Sequence, residues 1–244
     1  MISVVIPTFN SERTLAATLT ALVPAAVEGL VREVVVVDGG SGDRTRLIAE
    51  EAGADVVVAA KGRGAQLEAG ARRTKFNWLL FLHADTALPA GWEREAGTFV
   101  DAVDAGRRPA GAAAFRFGLD DDGPAPRILE TLVGLRNWVF RKPYGDQGLL
   151  IPRSLYDEAG GYKPLAIMED VEFVGRLGRK RIHLLRATAL TSAARYRRDG
   201  YIARVARNQS CLALYFLGAP ASRIAKLYDP EAESAIPKQE LHQV

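Results

Sequence analysis

Two carboxylates stand side by side at Glu169-Asp170, directly after Met168 and at the head of a helix-like segment around Asp170–Leu177. A carboxylate at a helix start that projects into a cleft can take a proton as a general base. The same pair also describes an acidic first turn stabilised by the helix dipole. A second cluster is His83-Ala84-Asp85-Thr86. Asp85 offers the hard oxygen that Mg²⁺ or Mn²⁺ prefers, and His83 an imidazole that suits Mn²⁺ or simply packs. Asp38 closes a run of four valines and precedes Gly39-Gly40-Ser41-Gly42-Asp43. Ser41 and Asp43 are natural caps for the helix that follows, and Asp38 can turn the chain or accept hydrogen bonds from a ligand. Lys61-Gly62-Arg63-Gly64 sets cations beside glycines that permit close backbone approach, which suits a diphosphate or a solvated loop.

The elements that must position these groups are legible upstream of each. Short β-branched runs at Ser3–Ile6, Glu33–Val37, Ala54–Ala59 and Trp78–Leu82 lack period-two alternation and predict strands buried on both faces. Between them lie helix-like segments at Glu12–Leu22, Thr45–Ala52 and Gly64–Arg73. Strands alternating with helices imply right-handed crossovers and a parallel sheet covered on both sides. Ligands bind such sheets beyond the carboxyl ends of the strands. Those four ends are Pro7-Thr8-Phe9-Asn10-Ser11-Glu12, Asp38–Asp43, Lys61–Gly64 and His83–Thr86. Four polar ends on one rim describe a site, where one alone would describe a cap.

Beyond Asp120 the rhythm changes. A turn at Asp120–Pro124 leads to an amphipathic stretch at Ile128–Phe140, an apolar run at Gly148–Ile151 and an amphipathic helix at Tyr201–Leu217. No fixed-period repeat or low-complexity linker separates the halves, so one compact body is expected over residues 1–228. Residues 229–244 are polar, Glu-rich and expected to be disordered.

Composition bounds the function. The chain has 244 residues, is 48% hydrophobic and 25% charged, and carries a net charge of +3, too mild for a dedicated nucleic-acid binder. Its single cysteine, Cys211, excludes an internal disulfide framework and a multi-cysteine zinc site, and fits a reducing, cytoplasmic setting. Met1-Ile2 runs into Val4-Val5-Ile6 with no basic segment or cleavage-like pattern, so a secretory signal is not expected, and the longest uncharged stretch, Asn208 to Ser222, is too short and too polar to span a bilayer. Charge is uneven: from Arg176 to Arg207 there are ten basic residues and one acid, Asp199. That window is either a solvated basic face or a surface for phosphate-bearing ligands or anionic headgroups. Neither a G-x-G-x-x-G after the first strand nor a G-x-x-x-x-G-K-[ST] occurs, which disfavours dinucleotide-binding and Walker-type folds.

What remains resembles the inverting family 2 nucleotide-sugar glycosyltransferases, of GT-A fold. The likeness runs through S-V-V-I-P-T-F-N-S-E at Ser3–Glu12, E-V-V-V-V-D-G-G-S-G-D-R-T at Glu33–Thr45 and W-L-L-F-L-H-A-D-T at Trp78–Thr86. It continues through D-E-A-G-G-Y at Asp157–Tyr162 and M-E-D-V-E-F at Met168–Phe173. The L-H-A-D-T form and G-D-Q-G at Gly145–Gly148 further resemble a bacterial subgroup associated with radical-SAM genes, some members of which are linked to arsenosugar biosynthesis. The resemblance implies an α/β fold with a mostly parallel central sheet and helices on both faces. It also implies a nucleotide-sugar-binding half at residues 1–118 and an acceptor-side half at 119–228.

By the same resemblance, Asp38 contacts the base or ribose of a UDP- or GDP-linked donor. Pro7, Thr8, Asn10 and Glu12 line the base pocket, and a diphosphate there is the ligand that the residue chemistry of Lys61 and Gly64 suits. The D-x-D-like element retains only Asp85, with His83 in the first place, so the Mn²⁺ or Mg²⁺ site departs from the usual pair of aspartates. Asp170, with Glu169 beside it, takes the role of base, and Asp146 and Gln147 fall on the acceptor side. Arg195 and Arg198 are the cations that could fold over the pyrophosphate. The sequence leaves the acceptor open, with a lipid or a small glycoside as candidates, and the helix at Tyr201–Leu217 either docks on the core or rests on a membrane surface. The Q-x-x-R-W of processive relatives is absent, which favours single addition. Two alternatives stay open: a sugar-1-phosphate nucleotidyltransferase, though its G-x-G-T-R-like loop is missing, and an inactive nucleotide- or lipid-surface-binding module.

Overall fold

The computed structural model describes residues 1–229; the expected tail therefore lies, but for Asp229, outside the described residues. The strands are β1 (Ile2–Thr8), β2 (Val31–Asp38), β3 (Asp55–Val58), β4 (Trp78–Phe81), β5 (Thr86–Ala87), β6 (Ala112–Asp120), β7 (Leu149–Pro152) and β8 (Ile182–Ser192). They form one sheet in the order β3-β2-β1-β4-β7-β6-β8-β5. Pairings β1–β2, β1–β4, β2–β3 and β6–β8 are parallel; β4–β7, β6–β7 and β5–β8 are antiparallel. The helices in chain order are α1 (Leu15–Thr20), α2 (Val23–Val27), α3 (Thr45–Glu51), α4 (Arg63–Arg73), α5 (Trp92–Asp104), α6 (Pro124–Phe140) and α7 (Arg153–Glu158). They continue with α8 (Glu169–Leu177), α9 (Ala194–Asp199), α10 (Tyr201–Phe216) and α11 (Ala221–Tyr228).

The β-branched runs become strands because both their faces are covered. Ile2, Val4 and Ile6 of β1 pack with Leu15 and Leu19 of α1 and Trp92 and Phe99 of α5. Val5, Val35 and Val37 face the other way, against Leu67 and Ala71 of α4 and Phe173 of α8. Burying these side chains stabilises each by about 1.5–3 kcal/mol relative to exposure. The chain turns from β1 to β2 on one side and to β4 on the other, which opens a crevice at the carboxyl ends of β1 and β4.

Three departures from the sequence expectation have physical causes. The helix expected at Glu12–Leu22 forms only over Leu15–Thr20 as α1, and a separate short helix, α2, follows it with Pro24 in its first turn, where the missing N–H costs nothing. β6 and α5 were not legible: β6 begins with an alanine run of weak strand propensity, and it pairs with a strand some seventy residues away. That strand, β8, runs through the basic window, and its eleven residues mix four buried, six half-buried and one exposed position with no clean period. Most arginines of the window meet acids: Arg176 pairs with Glu172, Arg181 with Glu158 and Arg197 with Asp121, while Asp199 receives Arg198, Arg204 and Arg207. The window is thus largely structural, not an open phosphate surface. Among the described residues no helix is long and apolar enough to cross a membrane.

Candidate active site

Two adjoining cavities open at the crevice. The outer cleft, of about 450 Å³, is lined by the end of β1 and the loop after it (Pro7 to Thr14), by Gln66 and by Asp85. The inner cavity, of about 150 Å³, lies between the sheet rim, α6 and α10 and includes Asp146 and Asp170. Arg63, His83, Asp85, Ser192 and Arg195 line both, so they form the wall where the two meet.

The outer loop is held by side chains of the loop after β2. Asn10 has a left-handed backbone (φ 49°), its amide N–H donates to Ser41 Oγ at 2.9 Å, and its Oδ1 accepts from the Gly42 N–H at 2.9 Å. Glu12 Oε2 accepts from the Arg44 N–H at 3.2 Å. Pro7, Thr8, Asn10 and Glu12 all line the cleft. Lys61 stands at its edge, with Nζ 3.8 Å from the centroid of Phe9, itself a lining residue.

Asp38 is a correction. It is fully buried and lines neither cavity. Its carboxylate accepts from the Gly40 and Ser41 amides at 3.0 and 2.8 Å, and from the Ser41 and Thr8 hydroxyls. Four donors leave it no free direction toward a base or ribose; it organises the loop that holds Asn10. Gly64 is a second correction. The close approach it permits is to the chain itself: a Cβ here would overlap Lys163 O and fall 2.7 and 2.9 Å from Leu165 N and O. Its N–H donates to Leu165 O at 3.0 Å. Gly64 thereby clamps the start of α4 against the segment that leads into α8.

At the shared wall, burial, and after it the nearby Arg63 guanidinium, pushes His83 down to about 4, so the imidazole is neutral near pH 7. The loop at Gly145–Gln147 comes so near that a Cβ on Gly145 would lie 2.5 Å from His83 Nε2. The Gly145 N–H donates to Asp170 Oδ2 at 2.7 Å, which fixes the carboxylate at the cavity wall. Asp146 faces the same space; burial, reinforced by Asp170 and Asp85 and opposed by Arg136, pushes it up to about 6. Its Oδ1 is buried without a hydrogen-bond partner.

Glu169, the other carboxylate of the pair, points elsewhere. It is fully buried, lines neither cavity, and lies 3.2 Å from Arg63 Nε; burial pushes it up to about 7 against the pull of Arg63. It is a positioning residue for Arg63. The cause is helix phase: neighbours in a helix lie about 100° apart, so only one of two adjacent acids can face the cavity.

Gln147 is a third correction. Fully buried, it donates to Phe115 O at 2.8 Å, and its Oε1 accepts from Asn137 Nδ2 at 2.9 Å and the Tyr144 N–H at 3.3 Å. It braces the loop and lines neither of these two cavities. Arg198 is the fourth: it pairs with Asp199 at 2.8 Å and Asp229 at 3.9 Å and lines neither cavity. Arg195 does line both. Arg63 was visible as one of two cations in a glycine-rich loop, but only the phase of α4 shows that it, and not Lys61, lies in the wall. The aromatic lining from Tyr144, Tyr196 and Tyr228 carried no sequence signal, since these side chains meet only through tertiary packing.

A single α/β sheet with acids and cations gathered at its strand ends is the architecture of GT-A glycosyltransferases. Residues 3–141 match the family "Glycosyl transferase family 2", and the chain belongs to that family. Asp146, Asp170 and Arg195 lie beyond the matched span. Among solved structures, the chain is similar to glucosyl-3-phosphoglycerate synthase from Mycobacterium tuberculosis in complex with Mn²⁺ and UDP-glucose. The TM-score is 0.61 at 20% identity, over 90% of this chain and 80% of that one. It is also similar to TarS of S. aureus, with a TM-score of 0.59 at 17% identity over 85% of this chain, though it spans only 39% of TarS. A TarS 1–349 structure in complex with UDP-GlcNAc matches at 0.55 and 18% identity, over 78% of this chain and 58% of that one. At these identities the likeness is one of fold. No curated protein matches the chain.

Proposed function

We propose that the protein transfers a sugar from a nucleoside-diphosphate donor of the UDP or GDP type to an acceptor hydroxyl, with inversion and with Asp170 as general base. The observation that carries this reading is the wall shared by the two cavities. A donor in the outer cleft and an acceptor in the inner cavity would meet at His83, Asp85, Arg63 and Arg195, with Asp170 on the acceptor side. Asp170 takes the hydroxyl proton as that oxygen attacks the anomeric carbon, and the bond from that carbon to the diphosphate oxygen breaks. The leaving group carries its electron pair away as a nucleoside diphosphate, toward Arg63 and Arg195. Glu169 keeps Arg63 in place beneath it.

Among the described residues no group of three or more His, Cys, Asp or Glu side chains converges as a cation site. Asp85, with neutral His83 two residues earlier, nevertheless suits a Mg²⁺ or Mn²⁺ whose remaining ligands are diphosphate oxygens and water. Bound there, the ion would neutralise charge on the departing diphosphate. The Mn²⁺ bound by the mycobacterial neighbour supports this part of the reading.

The acceptor meets a cavity of mixed character, with Asp146 and Arg136 beside Tyr144, Leu129 and Val133, which suits a hydroxyl on a partly apolar body such as a lipid or a small glycoside. The L-H-A-D-T and G-D-Q-G elements support kinship with the radical-SAM-associated subgroup, and the lone buried Cys211 supports a reducing, cytoplasmic setting. The test is Asp170→Asn, which keeps an acceptor oxygen for the Gly145 N–H but is a far weaker base. Transfer from radiolabelled donors should fall at least 10²-fold, within the range for loss of a general base, while nucleotide affinity stays within twofold. Near-normal turnover in this variant would remove Asp170 from the role.

A further inference from the structure

α6 leaves a large apolar surface uncovered. Only Pro126 and Asn137 of its 17 residues are buried, while Ile128, Leu132, Leu135 and Trp138 are 55–72% exposed. At 100° per residue these four fall on one arc of about 120°, the width of a stripe that ordinarily faces a core. The opposite side of α6, with Leu129, Val133 and Arg136, faces the inner cavity. α10 repeats the arrangement. Val205, Asn208 and Leu212 line the cavity, whereas Phe216 and the adjoining Leu217 are 62% and 83% exposed. The two surfaces meet where Lys142 Nζ lies 5.5 Å from the centroid of Phe216.

Charge identifies the occupant. Residues 131–145 and 200–228 contain no Asp or Glu and seven Lys or Arg. Arg136 and Arg204 line the inner cavity and Arg207 is held by Asp199, which leaves Lys142 just past α6, with half-buried Arg141 beside it, and Arg223 and Lys226 on α11 as the exposed cations of this side. A second copy docking through this same face would bring like charges together around the apolar centre. A bilayer bearing anionic headgroups satisfies both features at once, accepting the apolar side chains and pairing with the cations. We infer that α6 and the C-terminal end of α10 form a docking face for an anionic lipid bilayer. The two helices that wall the inner cavity then stand on the membrane surface. On the proposed reaction, the acceptor hydroxyl would reach Asp170 from the lipid side; the docking face itself does not depend on that reaction.

Tryptophan fluorescence tests this directly. Trp78 and Trp92 are each 1% exposed and Trp138 is 72% exposed, so a spectral change on vesicle binding reports Trp138. The intact protein, without nucleotide, is titrated with phosphatidylcholine vesicles and with phosphatidylcholine–phosphatidylglycerol vesicles, and co-sedimentation is scored in parallel. The expected result is a blue shift and sedimentation with the anionic vesicles only, reversed by high salt. Leu132→Glu/Leu135→Glu should weaken that binding at least tenfold with an unchanged melting temperature. Lys142→Glu, outside the helix, should weaken it several-fold while leaving the apolar stripe intact. Failure to bind either vesicle, equal binding to both, or a concentration-dependent dimer without vesicle binding would each overturn the inference. Because no donor is present, none of these results bears on whether Asp170 is the base.

Discussion

Replacing Gly64 by alanine separates two roles for the glycine-rich loop. If Gly64 lets a diphosphate approach the backbone, alanine should lower nucleotide affinity and leave the fold alone. In the structure its neighbour is the chain itself: the new Cβ would overlap Lys163 O and sit 2.7 Å from Leu165 N, where ordinary contact begins at 3.4 Å. Lys163 O is the nearest atom, so the segment at 163–165 must recede by about 1 Å or more, a strain in the range of about 1–3 kcal/mol or above. That shift also stretches the Gly64 N–H bond to Leu165 O, now 3.0 Å, which contributes about 1 kcal/mol. Alanine returns about 1 kcal/mol through its better helix propensity in α4. The net destabilisation is about 3 kcal/mol at the upper end, or a melting-temperature drop of about 6–12 °C for a chain of this size. Gly42, with nothing within 4 Å of a Cβ and no left-handed φ, is the matched control and should tolerate alanine within about 1–2 °C. Thermal unfolding followed by far-UV circular dichroism reads both. A Gly64→Ala protein that melts with the wild type but binds nucleotide poorly would refute the packing argument.

Folded Glu169 holds its proton to about pH 7, against 4.5 for the free side chain, so the folded state binds more protons in between. Stability attributable to it falls as pH rises from 4.5 to 7, by about 3 kcal/mol at most, and Glu169→Gln should lack that slope in denaturant titrations across this range. Parallel pH profiles for the two proteins would show that the carboxyl is not perturbed. Gln147→Leu should cost about 3 kcal/mol, because the Asn137 amide and Phe115 carbonyl lose buried partners. A stable Gln147→Leu protein with only a raised acceptor KM would return this residue to the acceptor site. A saturating nucleoside diphosphate, at 100 times its Kd, should stabilise the fold by about 2.7 kcal/mol. With UDP, GDP, ADP, CDP and TDP each tested with Mn²⁺, Mg²⁺ or EDTA, the shift should need the metal and favour UDP or GDP. A shift indifferent to EDTA would remove the ion from the proposal, and no shift with any nucleotide would remove the donor site.

The strands that frame the site were legible because burial on both faces demands continuous β-branched runs, as in Val34–Val37, and because polar loops must follow where such strands surface. From that alone came the α/β fold and the rim that carries Asp85; Asp146 and Asp170 were placed by the family resemblance. Residue type could not say which polar group looks outward. Asp38, Gln147 and Gly64 each carry chemistry a ligand could use, yet each is engaged by its own chain: Asp38 by the Gly40 and Ser41 amides, Gln147 by Phe115, and Gly64 by Leu165. Phe115 and Leu165 come from distant parts of the sequence, so whether these side chains face a ligand or a neighbour depends on how far-apart segments pack. Helix phase decided the rest, turning Asp170 toward the inner cavity and Arg63 toward the shared wall, leaving Glu169 beneath it, and setting the apolar stripe of α6 against solvent. Periodicity shows that a stripe exists, and only the tertiary structure shows which side of it the core has taken.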